Sequence, residues 1–254
     1  MIPYNFIFDV DGTISPSRQS ITPVFEMFFK GFIKTNNSWL ITGGGYKQTY
    51  QQLGEDICRS VRAIYNCCGS NIWADGTERY KSDWKLPNDI ESWLEKRGKE
   101  SKFVGKTDIH VEHRTGMVNF CIVGKNATLA DRKRYINWDN KTNERKKITR
   151  DFNKNFNEYG VVAQIAGETG FDVMPTNSNK ATILRDVSAP IIFFGDKTKP
   201  GGNDYPLAKA LKHRNDSHVI TVNSWKDTQK HLKKIIKIFN KNNINGLQNY
   251  LNSL

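Results

Sequence analysis

Asp9 and Asp11 stand two residues apart in Phe8-Asp9-Val10-Asp11-Gly12-Thr13. The stretch before them, residues 4–8, is apolar and reads as a buried strand. Ligands of open α/β sheets sit at the carboxyl ends of strands. A tight turn relieved by Gly12 can face both carboxylates into one pocket. One carboxylate of such a pair can attack an electrophile while the other exchanges a proton, and Thr13 can donate a hydrogen bond. An acidic turn can also do no more than cap a helix. The buried strand before it and the Gly-Thr after it favour the chemical reading.

The elements that must position this turn follow from periodicity. Residues 22–33 read as an amphipathic helix, 38–42 as a second strand broken by Gly43-Gly44-Gly45, and 46–53 as a helix stopped by Gly54. A third strand is expected near 62–66 and a hairpin at Asp75-Gly76. The pattern then changes. A helix is expected from Pro87 to about residue 96. Strands at 107–114 and 117–123 flank Thr115-Gly116, one long helix runs over 128–156, and strands at 161–166 and 170–174 surround Gly167. Alternation returns with a helix at 180–185, a strand at 190–194, a loop at 200–204, a strand at 218–222 and a helix at 224–240. The Asn-rich tail after it is compositional. Strand–helix alternation on both sides of a different block predicts an α/β protein. Residues 1–83 and 177–254 form a parallel αβα core, and residues 84–176 form an inserted α+β cap. Ser82-Asp83 and Thr176-Asn177 are the expected hinges.

The 254 residues suffice for a sizeable core, and a hydrophobic share of 37% excludes a disordered chain. No apolar run reaches the roughly 20 residues of a membrane span. Cys58, Cys67, Cys68 and Cys121 have no metal-ligand spacing, so reduced thiols in a cytoplasmic protein are expected. A net charge of +12 raises the question of nucleic acid. The basic clusters at 132–134, 145–147 and 230–237 lie in helical stretches, where such a face is usually solvated. No nucleic-acid motif accompanies them.

Asp9-Val10-Asp11-Gly12-Thr13 resembles the first motif of the haloacid-dehalogenase superfamily. Thr42-Gly43 is similar to the second, Lys180 to the third, and Gly195-Asp196 with Asn203-Asp204 to the fourth. Within that superfamily the chain resembles the eukaryotic-type phosphomannomutases. The resemblance rests on residues 9–19 (DVDGTISPSRQ), 112–117 (EHRTGM), 128–132 (TLADR), 171–175 (FDVMP) and 193–204 (FFGDKTKPGGND).

The resemblance implies a HAD-like core and the roles of its residues. Asp9 would be the nucleophile and Asp11 the general acid and base. Lys180 and Thr42 would neutralise charge on the transferred phosphoryl group. Mg²⁺ would be held by Asp9, the Asp11 carbonyl and Asp196, with Asp204 orienting Lys180 or a metal-bound water. Arg114, Lys125 and Arg132 of the cap, with Arg18 of the core, would cradle a second phosphate. Asp172 would bind sugar hydroxyls. Three positions depart from the family pattern. Lys125 replaces an arginine and loses its bidentate fork, Gly170 replaces a serine, and Thr42 replaces a glycine. Ala208-Lys209-Ala210 offers no acid for a second ion.

The implied activity is interconversion of mannose 6-phosphate and mannose 1-phosphate, primed by a hexose bisphosphate and feeding GDP-mannose synthesis. The expected partners are hexose phosphates and a second copy joined through the cap, with no membrane. A sugar-phosphate phosphatase, in which water accepts the phosphoryl group, is the alternative that Lys125 and Gly170 leave open. A basic nucleic-acid-binding protein is the remaining one, resting on charge alone.

Overall fold

The structure is a computed structural model and describes residues 1–107, 109–241 and 244–253. The chain opens with β1 (Asn5–Phe8), α1 (Pro23–Thr35), β2 (Ser38–Ile41), α2 (Tyr46–Ser60), β3 (Ile64–Asn66), β4 (Asn71–Ala74) and β5 (Thr77–Lys81). Then come α3 (Asn88–Glu100), β6 (Val111–Arg114), β7 (Met117–Cys121), α4 (Leu129–Thr142), α5 (Glu144–Phe156), β8 (Val161–Ala166) and β9 (Gly170–Pro175). The chain continues through β10 (Ile191–Gly195), α6 (Tyr205–Lys212), β11 (His218–Thr221), α7 (Trp225–Phe239) and α8 (Ile244–Asn252).

Two compact units result. One comprises Met1–Tyr80, Asn179–Pro200 and Asp204–Leu254, and the other Lys81–Ser178 with Gly201–Asn203. The first holds a seven-stranded sheet ordered β11-β10-β1-β2-β3-β4-β5. Its strands β11 to β3 run parallel, and β4 turns back against β3. Such parallel strands are covered on both faces, which is why β1 after Asn5 and β10 are continuously apolar rather than alternating. On one face α1 buries Phe25, Phe29, Phe32 and Ile33, the i, i+4, i+7, i+8 stripe of an amphipathic helix. The Phe8 ring lies 5.1 Å from both Phe29 and Phe194, so this aromatic stack fixes β1 against α1 and β10.

The second unit is a four-stranded antiparallel sheet, β6-β7-β9-β8, packed against its helices through Phe120, Tyr135, Phe152 and Phe171.

Several expected elements differ. The strand expected over 107–114 starts only at Val111, and Asp108 lies outside the described residues. The long helix expected over 128–156 breaks at Asn143, whose φ of 54° is left-handed. Asparagine tolerates that conformation, and Asp139 holds the corner by accepting the Arg145 amide and Nε, both at 2.8 Å. Arg145 is therefore a structural clamp, not a solvated charge. Gly54 interrupts α2 where a stop is expected: its φ of 78° is non-helical and kinks the chain, and a second helical segment then continues to Ser60. Residues 180–185 form a 3₁₀ turn capped by the Asn179 side chain on the Ala181 amide. The helix α6 and the tail helix α8 were not expected.

Candidate active site

The parallel register pairs Phe8 with Phe194 and with Leu40. Strands β1, β10 and β2 therefore leave the sheet at one edge, carrying Asp9, Asp196 and Thr42 with them. The Asp9 amide donates to the Phe194 carbonyl at 2.9 Å, which seats the carboxylate at that edge. The turn after it is closed by the Gly12 amide on Ser15 and by the Ile14 and Ser15 amides on Val10. Gly12 has φ of +79°, and a Cβ there would come within 2.7 Å of Asp196 Oδ2. Only glycine permits both the turn and this close approach.

Asp9 is 3% exposed, and Lys180 and Asp204 are fully buried. Lys180 Nζ donates to Asp9 Oδ1, and also to Asp204 Oδ1 at 2.7 Å. The other oxygen of Asp204 accepts the Lys197 amide at 2.9 Å. Asp204 is thus occupied on both oxygens as an anchor for Lys180. Asp9, Asp196 and Asp204 each bring a carboxylate oxygen within 4.8 Å of the others.

Electrostatics follow from this crowding. Burial pushes the Asp9 carboxyl well above its usual value; Lys180 pulls it back, and Asp204 and Asp196 push it further up. Burial raises Asp196 to about 6, with Lys197 opposing and Asp204 adding to the rise. Burial alone would lower the Lys180 ammonium, but Asp204 and Asp9 outweigh it and hold it above its ordinary value. Three carboxylates against the buried Lys180 ammonium and the more exposed Lys197 ammonium, 3.7 Å from Asp196, leave one uncompensated negative charge when all are ionised. An all-oxygen donor set with that excess suits a hard divalent cation.

Asp11 sits on the same turn, half-buried. Its Oδ1 accepts the Arg18 amide at 2.6 Å and Gln52 Nε2 at 2.9 Å. Arg18 contributes its backbone here, in a left-handed conformation (φ 57°), while its side chain is exposed. Gln52, on α2, is buried and also reaches Ser15 Oγ and the Gln19 carbonyl at 3.3 Å. Sequence reasoning missed it, because 41 residues separate it from Asp11 and no local signal marks it. Thr42 is buried with its hydroxyl accepting the Gly44 amide at 3.0 Å.

The second unit gathers a basic group of its own. Glu112 on β6 accepts Arg114 Nη2 at 2.9 Å and pairs with Lys125 Nζ at 3.0 Å. Burial pushes its carboxyl up, but Arg114 and Lys125 outweigh that and hold it below the usual value. Arg132, from α4, donates to Thr169 Oγ1 at 2.9 Å and to the Lys125 carbonyl at 3.0 Å. Asp172, buried on β9, lies 3.8 Å from Arg114 Nη1 and accepts Asn119 Nδ2 at 2.7 Å. Glu112 thus joins Arg114 to Lys125, Arg114 meets Asp172, and Arg132 is tied in through the Lys125 carbonyl, while Thr169 and Asn119, which the sequence reading did not single out, hold Arg132 and Asp172. Gly170 lies against β7, where a Cβ would meet the Phe120 carbonyl oxygen at 2.5 Å.

All four cysteines are buried and none is joined in a disulfide. Among the described residues no helix is long and apolar enough to cross a membrane.

The model of the eukaryotic phosphomannomutase family matches residues 99–238. The phosphomannomutase of Drosophila melanogaster is 30% identical over 248 residues, 91% of this chain and 95% of that protein. That of Saccharomyces cerevisiae is 29% identical over 251 residues, with 91% and 94% covered. Among solved structures, a truncated IMP-nucleotidase of Plasmodium falciparum superposes with a TM-score of 0.60 at 14% identity, covering 91% of this chain and 69% of that one. A trehalose-6-phosphate phosphatase related protein gives 0.58 at 17% identity, covering 94% and 100%. The two structures share the fold of this chain.

Proposed function

The chain belongs to the eukaryotic phosphomannomutase family, and we propose that it interconverts mannose 6-phosphate and mannose 1-phosphate through a phosphoryl group carried on Asp9. The observation that carries this reading is the cluster of buried Asp9, Lys180 and Asp204 with half-buried Asp196 at one sheet edge. The fold has haloacid-dehalogenase architecture, a parallel sheet interrupted by a second unit.

Asp9 attacks the phosphorus of a hexose bisphosphate, and the bond to the sugar oxygen breaks as Asp11 gives that oxygen a proton. The monophosphate then presents its other hydroxyl. Asp11 takes the proton from it, and the phosphoryl group passes from Asp9 to the hydroxyl oxygen. Gln52 and the Arg18 amide hold one oxygen of Asp11 and leave the other for this exchange. Lys180, kept protonated by Asp204, places a fixed positive charge beside Asp9. Asp9, Asp196 and the Asp11 carbonyl would hold Mg²⁺, which would offset the charge on the transferred phosphoryl oxygens.

Arg114, Lys125 and Arg132 take the phosphate that is not reacting. Asp172 binds sugar hydroxyls. In the same reading the protein is cytoplasmic, where thiols that form no disulfide stay reduced, and pairs with a second copy through the second unit.

Phosphorus NMR of the protein with mannose 1-phosphate, a hexose 1,6-bisphosphate and Mg²⁺ tests the reading. Conversion to mannose 6-phosphate in large excess over free phosphate is expected. Release of free phosphate without isomerised sugar would make water the acceptor and the protein a phosphatase.

A further inference from the structure

Phosphoryl transfer leaves much of the positive charge of this chain unexplained, 38 Lys and Arg against 26 Asp and Glu. Part of it is organised on α7. Lys226, Lys230, Lys233 and Lys237 recur at i, i+4, i+7 and i+11, with Lys234 and Lys241 flanking them, and all six are exposed. At 3.6 residues per turn they share one side of the helix, and Lys226 to Lys237 spans about 16 Å. Asp227, the one acid of α7, is turned back onto the Asn223 amide and side chain at 3.0 Å.

Beside this stripe, α1 exposes an aliphatic one. Val24 and Met27 are 71% and 79% exposed, and Gly31 continues the same face. The two helices are packed together. Phe25 lies 5.6 Å from Trp225, and Lys233 Nζ lies 5.6 Å from the Phe28 ring. A groove of about 540 Å³ opens beside them, lined by Met27, Phe28 and Gly31 of α1 and by Ile236 and Phe239 of α7. The exposed side chains of this face are therefore a row of lysines next to uncovered aliphatic surface.

We propose that the α1–α7 face docks this protein on a bilayer rich in anionic lipid headgroups. Lysine stems lie along apolar surface while their ammonium groups reach outward, which suits the headgroup boundary. The cytoplasmic leaflet carries the negative potential that attracts such a row. Nucleic-acid faces that read or stack bases rely on arginine forks, amide side chains at base edges and exposed aromatic platforms. The α7 stripe is lysine alone, and its exposed neighbours Val24 and Met27 have no group to hydrogen-bond a base. The protein would lie on the membrane, not span it.

The test is co-sedimentation of the full chain with vesicles of phosphatidylserine and phosphatidylcholine, at about 3:7, against phosphatidylcholine alone. Binding to the anionic vesicles only, falling steeply with added salt, is expected. Each lysine is worth about fivefold in partition, so K230Q/K233Q/K237Q should lose about a hundredfold. Isomerisation by that variant in solution should match the wild type, which also reports that it folds. V24S/M27S should weaken vesicle binding while leaving retention on a polyuridine column unchanged. Equal binding to both vesicle types, no binding to either, or indifference to the lysine changes would overturn the proposal. Tight salt-dependent retention of RNA without vesicle binding would overturn it too, and would assign the face to nucleic acid.

Discussion

Lys180 Nζ lies 2.7 Å from Asp204 Oδ1, and neither residue has any solvent exposure. An ammonium in so dry a place stays charged only because carboxylates face it. Asp204→Asn should therefore leave Lys180 with Asp9 as its one anionic partner of the two. Breaking a buried ion pair costs about 3–5 kcal/mol. Urea unfolding should show a loss of that order, and isomerisation should fall with it. Wild-type stability in this variant would mean that Asp204 does not anchor the lysine.

Gln52 is a positioning residue for Asp11. Gln52→Leu should lower kcat by about ten- to a hundredfold with little change in KM, part of the roughly 10²–10⁴-fold that a well-placed acid–base group supplies. Gln52→Glu should do worse, because it sets a second carboxylate against Asp11. A rise in KM alone, with kcat intact, would place Gln52 in substrate binding instead.

How much of this was legible depended on distance along the chain. The turn from Asp9 to Thr13 was readable because strand, glycine and acids are contiguous. Lys180, Asp196 and Asp204 were reachable only as a spaced pattern, since the register of β1 with β10 brings Asp196 to Asp9 and the Lys180 ion pairs join Asp9 to Asp204. Gln52 carried no signal, as it acts through a tertiary partner, and Glu112 was visible only as part of a motif, without its tie to Lys125. Asn143 misled, because a polar helical stretch does not announce a left-handed residue whose corner is set by Asp139 and Arg145.

Glu112 makes the second unit sensitive to acid. Its carboxyl is held below the usual value, so the folded state binds its proton less readily than the unfolded chain. The stability it contributes is complete above the unfolded value of 4.5 and is lost as pH falls through the lower folded value. Glu112→Gln should cost about 1 kcal/mol at neutral pH, a charge-assisted bond discounted for partial exposure. That difference should shrink below about pH 4. A difference independent of pH would show that charge is not what Glu112 supplies.

The two departures in the basic group separate in their effects. Arg132→Ala should raise KM about tenfold, one charged phosphate contact, with little loss of stability. Lys125→Arg should restore a bidentate fork and lower KM. Gly170→Ser should instead destabilise by about 1–3 kcal/mol, because its Cβ would press on the Phe120 carbonyl. Unchanged kinetics in Arg132→Ala would reduce that residue to a tie between Thr169 and Lys125.

Rapid quenching after mixing with a hexose bisphosphate labelled in its phosphates, followed by peptide mapping, tests the covalent step directly. The label should sit on Asp9 as a hydroxylamine-sensitive acyl phosphate and be absent from Asp9→Asn. Label on another residue, or full isomerisation by Asp9→Asn, would contradict the account.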